Sequence, residues 1–169
     1  MRYCDYLRAT VLMAAVSATA LAVVALGAAQ RDGRPVLVVF ALGWWTVAAV
    51  LGLWLGRKDG VMASIREVLS RSRPEPVFPK IEPASILLNR HWPIVLIALT
   101  SAAVSIFLPS AASAAAGYGF MWALAWRRQS AAIEAIERRD GVRFWVVKTS
   151  AFAKIKVVRV LGYGDIGQV

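Results

Sequence analysis

The chain has 169 residues, a formal net charge of +10 and a hydrophobic fraction of 59%. Soluble domains are nearer half apolar, so the composition excludes an ordinary soluble domain. It also argues against a basic nucleic-acid-binding protein, which has no need of uncharged runs of about 20 residues. The single cysteine, Cys4, excludes an intrachain disulfide bond.

Two uncharged runs come first, from Ala9 to Gln30 and from Pro35 to Gly56. As helices rising about 1.5 Å per residue, each is long enough to cross a hydrocarbon core of about 30 Å. The first run exceeds the apolar part of a secretory signal peptide, which has roughly 7–15 residues, so we expect it to be a span that is retained. Residues 1–56 are therefore predicted to form a first transmembrane hairpin.

The connection predicted over residues 57–92 has two parts. Apolar residues recur on one face of a helix over Val61–Ser70, which predicts a short amphipathic helix on the membrane surface or on the tail. Prolines at positions 74, 76, 79 and 83 then disfavour a regular helix. They predict an extended strap across the cytoplasmic face.

The third uncharged run, Trp92–Trp126, is too long for one span. Pro109 divides it, since proline lacks a backbone donor and disfavours helix just before itself. We predict helix three near Pro93–Leu108 and helix four near Ala111–Trp126, with Ser110 as the cap of helix four. Together they form a second hairpin over 93–127. A re-entrant hairpin is the alternative, and it returns the chain to the same side.

Residues 128–169 are predicted to form a cytoplasmic appendage. Helix four should continue to Asp140, where Gly141 ends it. Apolar residues then alternate over Val142–Val147 and again over Lys154–Val160, which predicts a two-stranded antiparallel hairpin. The glycine-rich segment 162–167 matches G-x-G-x-x-G, but we expect it to be a flexible tail and not a dinucleotide site, because only Gln168 and Val169 follow it and no helix is there to receive a pyrophosphate.

The sequence thus predicts an all-α membrane protein with four transmembrane helices in two hairpins and a small cytoplasmic β-hairpin. With both termini inside, Arg31 and Arg34 lie outside and the other 18 Lys and Arg lie inside. This asymmetry obeys the positive-inside rule. We therefore expect a multi-pass protein of the cell membrane with cytoplasmic termini.

Small residues recur at four-residue spacing on two spans, the pattern that lets membrane helices approach closely. The two stripes are predicted to face protein, although alanine-rich spans also produce such stripes by chance. They consist of Ala48, Gly52 and Gly56 on helix two, and Ala115, Gly119 and Ala123 on helix four.

Trp44 and Trp45 fall in the middle of helix two, where each indole N–H needs a partner. We expect one to fill the bundle core and reach a hydroxyl such as Ser17 or Thr100. The other would face lipid or an apolar ligand between helices. Core packing is the preferred interpretation for both.

No catalytic or cofactor-binding pattern is found. The spans contain no Asp, Glu, Lys, Arg or His, which argues against proton-coupled transport. The one histidine, His91, is expected to be structural. No metal or cofactor is expected, since His, Cys, Asp and Glu are not clustered at ligand spacing.

The predicted hairpin carries basic side chains that we expect to dock on anionic inner-leaflet lipid or on a protein partner. These are Arg143, Lys148, Lys154, Lys156 and Arg159. The function favoured is a non-enzymatic accessory or scaffold protein, with a protein partner or a homo-oligomer and no nucleic acid. The alternative is a small homo-oligomeric channel or transporter for an uncharged or apolar solute. A membrane-bound enzyme ranks third.

Overall fold

The computed structural model describes residues 1–57, 65, 69, 73–74, 83–147 and 155–161. The elements in chain order are α1 (Tyr3–Asp32), α2 (Pro35–Leu55), β1 (Arg73–Pro74), α3 (Pro83–Val104), α4 (Ser110–Trp126), α5 (Gln129–Asp140), β2 (Val142–Val147) and β3 (Lys156–Leu161). The chain is mostly helical with a small antiparallel strand pair, as predicted. Among the described residues, three helices are long and apolar enough to cross a membrane, namely α1, α2 and α3.

The first helical hairpin turns tightly at Gly33. This residue adopts the left-handed conformation with φ 64°, and its N–H donates to the carbonyl of Gln30 at 3.2 Å. Pro35 then opens α2 in the first-turn position that tolerates a missing N–H. The 30 residues of α1 rise about 45 Å, more than a hydrocarbon core of about 30 Å requires.

Helix three was predicted over Pro93–Leu108, and this prediction is wrong at both ends. The helix, α3, runs from Pro83 to Val104 and contains Pro93. The prediction placed the start of the helix at the beginning of the uncharged run. Charged residues indicate where a span would leave the membrane, but the backbone hydrogen bonds of a helix can continue beyond that point. Membrane helices tolerate an internal proline because neighbouring groups satisfy the freed carbonyl.

Turns follow Val104, whose carbonyl accepts from the N–H of Phe107 at 3.0 Å and of Leu108 at 2.8 Å. Helix four matches its prediction closely, but Ser110 does not cap it. The cap position is Pro109, whose backbone is already helical, and no side chain makes a cap hydrogen bond. The helix therefore starts directly from the turn.

The predicted unbroken continuation of helix four is also wrong. α4 ends at Trp126, and α5 starts at Gln129 after turns at Arg127 and Arg128. The break lets α4 stay in the bundle while α5 packs against α1 and β2. Gly141, with φ 61°, ends α5 as predicted.

α4 is the central helix of the bundle. α1 and α2 follow each other in the chain, yet each packs mainly on α4. Ala112 and Ala116 of α4 are completely buried there. The close approach follows from the small residues that α4 presents to its neighbours.

The strands lie at one end of the bundle, beside the first residues of α1, and we call this the sheet end. β2 and β3 are antiparallel, with Val142 opposite Leu161 and Val147 opposite Lys156. β1 is parallel to β3. On the edge of β2 that faces away from β3, the backbone of Arg2 pairs with that of Trp145 in an isolated antiparallel β-bridge. The predicted hairpin is thus confirmed, and its second strand starts two residues later than expected.

Several predictions lie outside the described residues. These are the proline-rich strap except 73–74, the glycine-rich tail, and the amphipathic helix over Val61–Ser70 except Ile65 and Leu69. Ile65 is buried in the sheet-end core, and Leu69 packs against it.

Candidate functional site

The sheet end is an apolar core built from elements far apart in sequence. Val142, Phe144 and Val146 alternate along β2 and face this core, as the period of two predicted. The other members come from α1, α3, α5, β3 and residue 65: Tyr3, Cys4, Tyr6, Leu7, Ile65, Ile86, Ile133 and Val157. The strand pair is therefore a fixed extension of the bundle and not a separate module.

Glu137 of α5 links α1 to β2. Its Oε2 accepts from the Arg2 guanidinium at 2.8 Å, and its Oε1 accepts from the backbone N–H of Phe144 at 2.9 Å. The residue is only 6% exposed. The hydrogen bond with Glu137 raises the pKa of Arg2 above its ordinary value. A second ion pair, between Arg8 and Glu134, joins the same two helices one to two turns further along α1.

The outer edge of β2 is occupied by groups of this chain. The N–H of Phe144 donates to Glu137, and the N–H of Val146 donates to the carbonyl of Met1 at 3.0 Å. An unpaired strand edge invites association with other chains, and these two contacts cover donors that would otherwise be open.

His91 is buried, with 2% of its surface exposed, and it joins α1 to α3. Its Nδ1 lies 3.0 Å from the carbonyl of Leu87, and its Nε2 lies 2.8 Å from the hydroxyl of Thr10. A carbonyl only accepts, so Nδ1 carries a proton. In the neutral ring Nε2 then accepts from Thr10. In the imidazolium Nε2 donates to Thr10, whose proton turns to the Tyr6 carbonyl 2.9 Å away.

Two cavities lie near this histidine, and His91 itself lines the one at the sheet end. A groove of about 580 Å³ lies between α1, α3 and α4, and a pocket of about 390 Å³ lies at the sheet end. Thr10, Ile94 and Trp126 line both of them.

The predicted docking residues have these positions. Arg143, Lys156 and Arg159 are exposed, while Lys148 and Lys154 lie outside the described residues. By register, Arg143 and Lys156 share one face of the strand pair, and Arg159 lies opposite Phe144 on the other. The described basic side chains therefore lie on both faces of the strand pair and do not form a single basic face.

The two stripes of small residues do not meet each other. Gly52 and Gly56 of α2 approach α4 so closely that a Cβ at Gly52 would lie 2.7 Å from the carbonyl of Met121. A Cβ at Gly119 would lie 2.8 Å from Ala18 of α1. Ala48 and Ala123 are buried, and Ala115 lines the groove.

Both tryptophans turn towards α4. The Trp44 indole donates to the Ala114 carbonyl at 3.1 Å, and the Trp45 indole donates to the Ser113 carbonyl at 3.0 Å. The partners are thus backbone carbonyls, and the expected hydroxyls of Ser17 and Thr100 are not used. Sequence reasoning missed Gly117, where a Cβ would lie 2.0 Å from Trp44 Nε1.

Sequence reasoning also missed Thr10, Glu137 and the buried position of His91. A signal for Glu137 was available, since a carboxylate one turn before the end of an amphipathic helix faces the same side as Ile133. Within the described residues, no three metal-ligating side chains cluster. Comparisons with protein-family models, curated proteins and solved structures gave no match to this chain.

Proposed function

We propose that the chain is a multi-pass membrane protein in which α1 to α4 all span, with both termini cytoplasmic. Three of these helices meet the length and hydropathy of spans, and α4 packs on both α1 and α2. The 17 residues of α4 rise about 26 Å, close to a core of about 30 Å. Arg31 and Arg34 lie at the end opposite the sheet, and the other basic residues support a cytoplasmic sheet end.

We further propose a non-enzymatic accessory function, in which the sheet end docks on anionic lipid of the inner leaflet and the protein serves a larger partner. The observation that supports it is the fixed distance between the sheet and the start of the uncharged run of α1, which we take as the membrane surface. Arg2 bridges Trp145, and the uncharged run starts at Ala9. Seven residues of helix rise about 10 Å, close to the Debye length of about 8 Å in physiological salt.

At that height, basic residues still feel the charge of the membrane surface. Each one near the surface is worth about 1 kcal/mol. Arg143, Lys156 and Arg159 are therefore expected to hold the sheet end against an anionic leaflet with up to about 3 kcal/mol. Salt should weaken this attraction, because the contacts are exposed.

The channel alternative requires hydroxyl groups lining a path between several copies. The hydroxyls of Thr46 and Thr100 donate to carbonyls of their own helices, those of Leu42 and Leu96. They are accounted for by helix structure alone. We therefore prefer the accessory function.

The first test is purification in a mild detergent at native expression level, followed by mass determination and protein identification. We expect a larger protein in stoichiometric amount. A homo-oligomer that has no partner and conducts solute in vesicles would contradict the accessory function and support the channel.

Docking is tested in nanodiscs by hydrogen exchange of 142–147 and 156–161. Phosphatidylglycerol should slow exchange relative to phosphatidylcholine, and the triple change R143Q/K156Q/R159Q should remove that difference. The matched control is R31Q/R34Q at the other end of the bundle, which should retain it. Equal exchange in both lipids for the unmodified chain would contradict docking.

A further inference from the structure

The pocket at the sheet end contains polar groups that the protein itself leaves without partners. Tyr3 and Tyr6 line it and are 4% and 5% exposed, so each is more than nine-tenths buried. Neither hydroxyl has a hydrogen-bond partner within the part of the chain that the structure describes. Each keeps a little accessible surface and is therefore open to a bound molecule. Buried polar groups are nearly always hydrogen-bonded, so two such hydroxyls in one pocket indicate a ligand.

The remaining polar groups of the pocket are partly used and partly available. His91 and Thr10 are hydrogen-bonded to each other, and the Nδ1 of His91 is also occupied by the carbonyl of Leu87. Gln129, at the first position of α5, is half-buried, and its amide has no hydrogen-bond partner among the described residues. The pocket therefore offers two phenols and one amide, each of which can donate and accept hydrogen bonds.

The charge of the pocket disfavours an ionic ligand. Among its described lining residues none is a carboxylate, and Arg90 is the one permanently charged side chain. Arg90 already interacts with another group of the chain, so we assign it no binding role. Its charge nevertheless repels a cation, and an anion would find no second positive side chain among the described lining residues. The ligand that fits is therefore uncharged.

Aromatic rings are prominent in the wall of the pocket. The Tyr3 and Tyr6 rings are nearly parallel, at 13°, with centroids 6.4 Å apart, and the centroid of the His91 ring lies 5.4 Å from that of Tyr6. Trp126 adds a fourth ring. Flat rings pack well against such surfaces. At about 390 Å³ the pocket falls within the roughly 300–1,000 Å³ typical of ligand sites, far above the roughly 30 Å³ that one water molecule occupies.

We propose that this pocket binds the head of a membrane quinone, which is an uncharged flat ring carrying carbonyl oxygens. The hydroxyls of Tyr3 and Tyr6 donate to those oxygens, and the ring packs against the aromatic wall. Thr10, Ile94 and Trp126 also line the pocket and lie at the ends of the uncharged runs. The pocket therefore reaches the level at which the proposed spans begin, and a quinone dissolved in the bilayer has access to it.

Quinone binding is independent of sheet docking and requires only the proposed membrane location. The two proposals therefore fail separately. R143Q/K156Q/R159Q should leave quinone binding unchanged. Y3F/Y6F should retain the difference in hydrogen exchange between phosphatidylglycerol and phosphatidylcholine.

The test uses the full chain in nanodiscs, with radiolabelled duroquinone as the probe and empty nanodiscs as the blank for partition into lipid. The ring of duroquinone is fully substituted, so it does not add to the thiol of Cys4. We expect saturable binding of one molecule per chain. Durene has the same ring and methyl groups without the oxygens. It should compete about 25-fold less well at equal concentration in the lipid, since each lost hydrogen bond is worth about fivefold.

The absence of saturable duroquinone binding would overturn the proposal. Equal competition by durene and unlabelled duroquinone would also overturn it, because the hydroxyls would then contribute nothing to recognition.

The two hydroxyls are tested directly with Y3F/Y6F, which keeps both rings. This variant should bind duroquinone about 25-fold more weakly, about fivefold for each hydroxyl. The matched control is Y118F, since Tyr118 is 54% exposed and lines the groove but not the pocket. Its affinity should equal that of the unmodified chain. Equal affinity of Y3F/Y6F and Y118F would overturn the assignment of the hydroxyls to the ligand.

Thermal unfolding of the same variants separates ligand binding from a structural role. Without ligand, Y3F/Y6F should unfold at the temperature of the unmodified chain or higher, because no hydrogen bond among the described residues is lost. Duroquinone should raise the unfolding temperature of the unmodified chain more than that of the variant. A lower unfolding temperature of the ligand-free variant would mean that the hydroxyls stabilise the protein itself, and would overturn the proposal.

A photoreactive azidoquinone locates the site on the unmodified chain. Peptides containing Tyr3, Tyr6 or Gln129 should be labelled, and duroquinone should suppress the labelling. Labelling of the groove instead, at peptides containing Ala98 or Ala115, overturns the assignment to the pocket. Suppression by dioleoylglycerol and not by duroquinone overturns the proposal in favour of a neutral glycerolipid.

Discussion

Glu137 offers the sharpest test of how the sheet end is held together. The change Glu137→Ala removes the acceptor of the Phe144 N–H and the partner of Arg2. A buried donor left without an acceptor costs roughly 2 kcal/mol. The ion pair adds about 1 kcal/mol, because the Arg2 side chain is 39% exposed and water can solvate it. The free energy of opening should therefore fall by about 3 kcal/mol.

The assay is hydrogen exchange at the Phe144 amide, which reports opening of this contact directly. A loss of about 3 kcal/mol corresponds to roughly 100-fold faster exchange. Glu137→Gln keeps an oxygen acceptor and loses only the charge, so its exchange should rise by about fivefold, the equivalent of about 1 kcal/mol. The control is Arg138→Gln, since the Arg138 side chain is 80% exposed and contacts Glu134 only at 3.7 Å.

Two results would refute this reasoning. Unchanged exchange in Glu137→Ala would mean that water or another group satisfies the Phe144 N–H. Equal acceleration in the Ala and Gln variants would mean that the charge, and not the acceptor, holds β2 against α5.

Two further changes concern the bundle, and thermal unfolding in detergent measures both. Gly117→Ala should lower the free energy of unfolding by about 1–3 kcal/mol, because the new methyl group would displace the Trp44 indole. The control is Gly43→Ala, which has nothing within 4 Å of the new Cβ and should be neutral or stabilising. Equal stability of the two variants would contradict the close approach of Trp44 to Gly117. Thr10→Val should cost about 1–3 kcal/mol by leaving the buried imidazole without its hydroxyl partner, whereas Thr19→Val, whose exposed hydroxyl bonds only to its own helix, should cost far less.

Local patterns predicted the parts of this fold that local physics determines. The charged gap between the runs Ala9–Gln30 and Pro35–Gly56 predicts the first hairpin, and the period of two after Gly141 predicts β2 with its buried face. The start of α3 was missed because hydropathy reports where lipid begins, and a helix can run beyond that point through Asn89 and Arg90.

The contacts that build the candidate site could not be predicted in this way. Thr10 and His91 are 81 residues apart, and Arg2 and Glu137 are 135 residues apart. A single sequence carries no signal for pairs at such distances. It predicts that a buried histidine or glutamate needs a partner, but not which residue provides it.

The bridge between Arg2 and Trp145 also affects how the chain folds during synthesis. The two residues are separated by about 140 positions, and at roughly 5–20 residues per second the strand is made about 7–30 s after its N-terminal partner. During that interval Tyr3, Tyr6 and Leu7 of α1 still lack the cover that β2 and α5 provide. Closing such a distant contact is entropically slow, so the sheet end should form last and complete the assembly of the helices.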